Sequence, residues 1–255
     1  MLDKKRDGSV LHVTINRPEV RNAFNDELIS ALSETFANPE GARVIIIRGE
    51  GPAFCAGGDL QWMTKASGYT REQNIADALN LARMLDNAAR CPAVVMAKVH
   101  GAAFGGGCGL VAACDVAVAL PGTKFAFSEV KLGLIPATIS NIVIQKIGQG
   151  HARSLFATGE VFESEKAQRI GLVHDLATDP HDAEQILAAK IKAVLAAGPR
   201  AVHKAKILAM DAPYTLEETA ALLADARAGD EGKEGVAAFL AKRPASFVEP
   251  YPVHE

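Results

Sequence analysis

The chain of 255 residues lacks the features of membrane and secreted proteins. Lys98 and Asp115 interrupt its longest apolar stretches, which stay well short of the roughly 20 apolar residues that a membrane-spanning helix needs. The opening segment MLDKKRDGSVLHVTI contains no apolar core of the signal-peptide type. From these absences we expect a cytoplasmic protein that has no membrane partner.

Metal-binding and nucleic-acid-binding patterns are also missing. The four cysteines (Cys55, Cys91, Cys108 and Cys114) lack a paired metal-binding spacing, and a chain of this size needs no disulfide bonds. The seven histidines are scattered and form no HExxH pair, so we expect no metal site. The net charge of −3, without a dense basic run, argues against nucleic acid as the main partner.

The pattern of apolar residues predicts an α/β core in residues 1–195 and a helical region in residues 196–255. Strands are predicted at 9–15, 42–48, 93–99, 116–120 and 124–127, with helices after Asn25 or Asp26, at 70–90, at about 108–114 and at 137–147. The apolar stripe Ile75, Leu79, Ala82 and Leu85 predicts which face of helix 70–90 packs on the core. Strands separated by helices favour parallel βαβ crossovers.

Two glycine-rich loops follow predicted strands, Ala56-Gly57-Gly58-Asp59 and Gly105-Gly106-Gly107. Neighbouring parallel strands bring such loops to one edge of a sheet, where backbone N–H groups from both can converge on a single oxygen. The alternative is that the glycines only allow close strand–helix packing. The run G-G-G-C-G does not fit the dinucleotide pattern G-x-G-x-x-G, and no P-loop is present.

Five segments in a fixed order carry a resemblance to a known family. NRPEVRNAF, AFCAGGDL, GAAFGGGCGLVAACD, FAFSEVKLGLIP and EGVAAFLAKRPASF resemble the enoyl-CoA hydratase/isomerase (crotonase) family over nearly the whole chain. The resemblance implies a ClpP/crotonase-like α/β spiral of ββα turns with a helical C-terminal trimerisation part. It also implies an acyl-CoA thioester substrate, a homotrimer or a hexamer built as a dimer of trimers, and no cofactor, since coenzyme A is part of the substrate.

The resemblance also assigns the site, motif by motif. It places the two oxyanion donors at Gly58 and Gly106 and the catalytic acid/base at Glu129. The family's hydratases carry a second glutamate three residues after the middle glycine, where this chain has Gly109. Substrate-binding roles are expected for Ala23, Ala56, Asp59, Leu60, Gln61, Gly109 and Lys242.

The missing second glutamate leaves several functions open. One is hydration of an enoyl-CoA by Glu129 together with one ordered water and another polar group, or together with a carboxylate of the substrate. Another is Δ3,Δ2-enoyl-CoA isomerisation, which needs one base, and a third is binding or scaffolding without turnover. Thioester hydrolysis is a remote fourth. Gly109 with the segments GGGCGLVAACDVA and KLGLIPATIS resembles the bacterial methylglutaconyl-CoA hydratase-like branch, which favours hydration of a branched or carboxylated enoyl-CoA.

Overall fold

The computed structural model of the chain describes residues 1–251. Its strands are β1 (Leu2–Asp7), β2 (Val10–Ile15), β3 (Val44–Gly49), β4 (Val94–Val99), β5 (Ala102–Phe104), β6 (Val116–Ala119), β7 (Lys124–Ala126), β8 (Phe162–Glu163) and β9 (Asp175–Leu176). Its α-helices are α1 (Asp26–Ala37), α2 (Leu60–Ala66), α3 (Arg71–Ala89), α4 (Gly106–Ala113), α5 (Ala137–Thr158), α6 (Ser164–Arg169), α7 (Pro180–Leu195), α8 (Pro199–Met210), α9 (Leu216–Ala228) and α10 (Asp230–Leu240).

Six strands form the main sheet in the order β1-β2-β3-β4-β6-β9. The hairpin β1–β2 is antiparallel, and every other neighbouring pair is parallel. A second, smaller sheet has the order β5-β7-β8. The side chains of β3 are buried from Val44 to Ile47, as expected for a strand covered on both faces. The predicted neighbours β3 and β4, which lead into the two glycine loops, are therefore confirmed as adjacent parallel strands.

The helices begin where the sequence supplies caps. The Asn25 side chain accepts a hydrogen bond from the N–H of Leu28 at 2.9 Å and so caps α1, one of the two caps predicted. Thr70 and Gln73 form a reciprocal capping box at the start of α3. These caps fix the starts of α1 and α3, two helices that pack against each other.

Two predictions about helices need correction. The buried face of α3 consists of Leu81, Met84, Leu85, Ala88 and Ala89, whereas Ile75 and Leu79 are each 43% exposed. The predicted stripe was wrong in its first half because that part of the helix extends beyond the core. Helix α4 begins at Gly106 rather than near Cys108, since Gly105 turns the chain into the helix with a φ of 49°.

The structure also contains β8 and β9, two strands of two residues each in a part of the chain where the sequence predicts no strand. Such strands are too short to show alternation. Helix α5 continues to Thr158 and has a non-helical residue, Gly148, inside it.

The chain divides into two compact units, Met1–Leu187 and a second that begins at Ala188. The first unit contains both sheets and the two glycine loops. The second contains α8, α9 and α10, so the C-terminal part is helical as expected. The oligomerisation role predicted for residues 196–255 stays a prediction.

Candidate active site

The two glycine loops lie side by side, as predicted. Cys55 forms an isolated parallel bridge with Ala103, next to the second loop. A Cβ atom on Gly57 would lie 3.1 Å from the carbonyl oxygen of Phe104. A Cβ on Gly107 would lie only 2.5 Å from the carbonyl oxygen of Cys55, so only glycine fits there. The close packing that was the alternative explanation of the glycines is therefore present at Gly107.

Both predicted oxyanion donors have their N–H groups available. Phe24 donates to the carbonyl of Gly57 at 2.7 Å and accepts from the N–H of Asp59 at 2.9 Å, which leaves Gly58 between these two bonds. In such a parallel bridge the N–H of Gly58 points away from Phe24. Gly106 is the first residue of α4, whose opening N–H groups have no partner within the helix. Neither N–H has a hydrogen-bond acceptor within residues 1–251.

Asp59 fixes the first loop through both of its carboxylate oxygens. Oδ1 accepts from the N–H of Gln61 at 2.8 Å and caps α2. Oδ2 forms an ion pair with Arg17 at 2.8 Å, and the same guanidinium donates to the carbonyl of Ala23. Burial raises the pKa of Asp59, but the Arg17 and backbone hydrogen bonds outweigh it and hold the pKa below its ordinary value. Asp59 is therefore ionised, and its hydrogen bonds and ion pair hold the loop in place next to Gly58.

Glu129 brings a carboxyl group to the second loop. It begins a 3-10 helix (Glu129–Leu132), and its Oε1 lies 3.0 Å from the position of a Cβ on Gly105. Its Oε2 is buried without a hydrogen-bond partner among the described residues. Burial is the main influence on this group and raises its pKa. A carboxyl group with one unsatisfied oxygen, next to Gly105 in the second loop, is suited to exchange protons with a bound molecule.

The space beside Gly109 is filled by apolar side chains. A Cβ at this position would lie 2.6 Å from Cγ2 of Ile139 and 3.2 Å from Cδ1 of Leu85. Ile139 lies on α5 and Leu85 on α3, and both are buried. A larger side chain at residue 109 would therefore require these neighbours to move.

The thiols in the two loops are unsuited to act as nucleophiles. Cys55 and Cys108 are both fully buried, and burial raises the pKa of Cys55 to about 12. The pKa of Cys108 is raised further by the same effect. A thiol in this state is not ionised near neutral pH, which supports a packing role for both side chains.

The remaining predicted substrate-binding residues differ in position. Ala23 is buried, and its carbonyl accepts the Arg17 hydrogen bond. Ala56 donates its N–H to the carbonyl of Arg21 at 3.0 Å. Leu60 is 79% exposed and Gln61 is also exposed at the start of α2. Lys242 is exposed after α10, in the second unit. Their binding roles stay predictions.

The sequence analysis did not find two residues that contact the site, Arg17 and Ile139. Arg17 belongs to the segment NRPEVRNAF, but the ion pair joins residues 42 positions apart, and no local pattern marks it. Ile139 occurs in an ordinary helical pattern.

No cluster of metal-binding side chains occurs among residues 1–251. In the same range, no helix has the length and apolar character to cross a membrane.

The sequence model of the enoyl-CoA hydratase/isomerase family matches residues 5–250. The chain belongs to this family. Crotonyl-CoA hydratase of Syntrophomonas wolfei subsp. wolfei is 32% identical over 258 aligned residues, which cover 97% of each protein. Enoyl-CoA hydratase/isomerase proteins act on acyl-CoA thioesters, so the site belongs to an enzyme family with such substrates.

Solved structures of the family confirm the crotonase fold. An enoyl-CoA hydratase from Shewanella pealeana is 35% identical, with a TM-score of 0.90, and the match covers 96% of this chain and 95% of that one. An enoyl-CoA hydratase/isomerase from Marinobacter aquaeolei is 33% identical, with a TM-score of 0.91 and coverage of 97% and 99%. The predicted α/β class and family are therefore correct.

Proposed function

We propose that the chain is an enoyl-CoA hydratase that uses one carboxyl group for both proton transfers. The observation that carries the proposal is the buried Oε2 of Glu129, which lacks a partner within residues 1–251, beside the loop that contains Gly106, whose N–H has no acceptor there. The N–H groups of Gly58 and Gly106 would bind the thioester oxygen and stabilise the negative charge that develops on it. One such donor contributes about 100- to 1000-fold in rate.

Glu129 can carry out both proton transfers because its carboxyl group can be either ionised or protonated. Ionised Glu129 removes a proton from water as the water oxygen bonds to Cβ, and the thioester becomes an enolate. The same carboxyl group, now protonated, returns the proton to Cα on the same face, which gives syn addition. A raised pKa suits both steps, because the group must hold and release a proton near neutral pH.

The test is turnover of enoyl-CoA by wild type and two variants. Glu129→Gln keeps the shape but removes the acid/base and should lower kcat by about 10²- to 10⁴-fold. Glu163→Gln changes an exposed glutamate on β8 and serves as the control, with activity expected to stay near wild type. Loss of the conjugated thioester absorbance reports the reaction. Equal activity of Glu129→Gln and wild type would refute the proposed role.

The substrate proposed is a branched or carboxylated enoyl-CoA such as 3-methylglutaconyl-CoA. The support is the presence of glycine at residue 109, as in the methylglutaconyl-CoA hydratase-like branch that the sequence resembles. We expect kcat/KM for 3-methylglutaconyl-CoA to exceed that for crotonyl-CoA by at least about tenfold, a difference of roughly 1.4 kcal/mol in transition-state binding. A preference for crotonyl-CoA would contradict the assignment of the branch.

The packing around Gly109 favours a second candidate, Δ3,Δ2-enoyl-CoA isomerase. Ile139 and Leu85 fill the space of a second carboxylate, and isomerisation requires one base only. Gly109→Glu alone should destabilise the fold, whereas adding Ile139→Ala removes Cγ2, the atom closest to the new Cβ, and relieves part of the overlap. A hydratase limited by its single carboxylate should gain hydration rate in the double variant. An isomerase should instead show double-bond migration in wild type with no water added.

A further inference from the structure

Asn22 is a fully buried polar side chain between β2 and α1, and the proposed mechanism does not use it. Its Nδ2 donates to the carbonyl oxygens of Glu50 at 2.8 Å and of Ala53 at 2.7 Å. Its Oδ1 accepts from the backbone N–H of Arg17 at 2.8 Å. Carbonyl oxygens only accept and a backbone N–H only donates, so these partners fix the orientation of the carboxamide. Both of its N–H bonds and its oxygen are therefore used inside the protein.

The backbone at this position favours asparagine. Asn22 has a φ of 59° and follows Arg21, whose φ is 52°, so two consecutive residues adopt the left-handed conformation. Among residues other than glycine, asparagine is one of the most readily accommodated in this region. The position therefore requires a residue that tolerates a positive φ and also donates two hydrogen bonds, and asparagine does both.

The chain at residues 49–55, which we call the Asn22 turn, curls around the carboxamide. A Cβ on Gly49 would lie 2.6 Å from the carbonyl oxygen of Ala53 and 2.8 Å from Nδ2 of Asn22, so the two ends of this turn approach each other closely. The turn leads directly into the first glycine loop. Without the carboxamide, the carbonyl groups of Glu50 and Ala53 would lose their side-chain donor, which is costly away from water.

The Asn22 turn also contacts the chain that leads into the second glycine loop. Phe54 donates its N–H to the carbonyl of His100 at 3.0 Å, and Cys55 donates to the carbonyl of Ala102 at 3.1 Å. These bonds join the turn to the residues between β4 and the second loop. A displacement of the turn would therefore change the position of the first loop relative to the second.

We propose that Asn22 is a positioning residue that holds the N–H of Gly58 in register with the N–H of Gly106. Asn22 fixes the chain before Gly58, whereas Asp59 fixes the chain after it. The inference rests on the proposed function, because it requires both N–H groups to bind one thioester oxygen. Hydrogen bonds weaken steeply when their distance and angle depart from the optimum, so a displaced Gly58 would stabilise the oxyanion less well.

The test is the infrared carbonyl stretch of butyryl-CoA, labelled with ¹³C at the thioester carbonyl and bound to the intact protein. This saturated thioester has no double bond to hydrate. Two N–H donors draw electron density onto the oxygen and weaken the C=O bond, so wild type should shift the stretch to lower frequency than in free butyryl-CoA. Asn22→Gly accommodates the positive φ but removes all three side-chain hydrogen bonds, and it should lose most of this shift.

A second variant and a control separate positioning from stability. Asn22→Ser keeps one hydroxyl donor and should lose part of the shift, and it decides the question if Asn22→Gly does not fold. The control is Asn87→Ala. Nδ2 of Asn87 on α3 lies 2.9 Å from Oγ of Ser33 on α1 and 3.3 Å from its carbonyl oxygen, and neither partner belongs to a glycine loop. We expect Asn87→Ala to melt at a lower temperature than wild type but to keep the full carbonyl shift.

Steady-state kinetics with an enoyl-CoA substrate provide the second measurement. Asn22→Gly should lower kcat by about 10- to 100-fold, less than complete loss of an oxyanion donor, because small displacements of catalytic groups reduce the rate strongly. Its KM should stay within about threefold of wild type, because the oxyanion donors act mainly on charge that develops in the transition state. A variant that only loses stability would keep its kcat below its melting temperature.

The outcomes distinguish this inference from the proposed function. A full wild-type shift in folded Asn22→Gly or Asn22→Ser would overturn the positioning role and leave the oxyanion hole intact. An equal loss of the shift in Asn87→Ala would also overturn it, because general instability would then explain both results. No shift in wild type would overturn the oxyanion hole, and this inference with it.

Discussion

At the scale of single residues, Asp59 connects the first glycine loop to Arg17. Asp59→Asn keeps a side chain able to cap α2 but removes the ion pair that holds the residue next to Gly58. Because the Gly58 N–H would be less firmly placed, we expect kcat to fall by about tenfold, less than complete loss of an oxyanion donor. Steady-state kinetics with the preferred enoyl-CoA measure the effect.

The matched control for this variant is Asp26→Asn. Asp26 pairs with Lys65 at 3.2 Å, but both side chains are about half exposed, so the pair contributes little. We expect its kcat to remain within about twofold of wild type, since an exposed pair adds well under 1 kcal/mol. Equal losses in the two variants would show that Asp59 acts only through general stability.

Glu129 should also couple stability to pH. Burial raises its pKa in the folded protein above the ordinary value of 4.5, so the folded state binds the proton more tightly than the unfolded chain. Stability gained from the protonated form is present below pH 4.5 and is lost as pH rises through the folded pKa. We therefore expect Glu129→Gln to melt at a higher temperature than wild type at pH 8.

The difference between the two melting temperatures should shrink as the pH is lowered through the folded-state pKa of Glu129, which lies above 4.5. Thermal melts of both proteins at pH 4.5, 6 and 8 measure it. A constant difference over this range would contradict the raised pKa. Protonation of Glu129 at lower pH should stabilise the folded protein but lower the hydration rate.

The sequence predicts individual site residues where a short motif supplies the signal. Gly58, Gly106 and Glu129 lie in segments whose order is family-specific, and the structure places Glu129 over Gly105. Ile139 could not be found in this way, because its contact with Gly109 depends on how α5 crosses α4. Arg17 could not be found from the sequence either, because the partner of its guanidinium depends on the tertiary fold.

At the scale of elements, α3 provides a comparison within one helix. Leu85 is 1% exposed and contacts the space beside Gly109, whereas Leu79 is 43% exposed. Leu85→Ala should lower the free energy of unfolding by about 2–5 kcal/mol because it leaves a cavity. Leu79→Ala should change it by no more than about 0.5 kcal/mol. Urea unfolding of the two variants measures both values, and similar losses would contradict the observed burial.

Helix α3 also shows why its buried face was only partly predictable from the apolar stripe in the sequence. Helical periodicity identifies an apolar face but not the length of helix that reaches the core. Leu81 and Met84 replace Ile75 and Leu79 as core residues because the other elements cover only the C-terminal half of α3. The short strands β5, β8 and β9 were missed for a related reason, since they are defined by pairing partners rather than by their own two or three residues.

At the scale of the whole molecule, the second compact unit has apolar side chains on its surface. Leu216 is 84% exposed, and Phe239 and Leu240 are 82% and 74% exposed. We propose that this unit forms the contacts of the predicted trimer or hexamer, because exposed apolar clusters commonly mark interfaces. Phe239→Glu should shift the protein towards monomer in light scattering coupled to gel filtration. A wild-type monomer at micromolar concentration would contradict the prediction.

The most direct measurement of the proposed reaction is incorporation of oxygen from labelled water. Wild type and Glu129→Gln are incubated with 3-methylglutaconyl-CoA in H₂¹⁸O, and the products are analysed by mass spectrometry. We predict that wild type forms a 3-hydroxyacyl-CoA carrying ¹⁸O at Cβ and that the variant forms about 10²- to 10⁴-fold less. Wild-type movement of the double bond or proton exchange at Cα, without incorporation of ¹⁸O, would contradict the hydratase proposal.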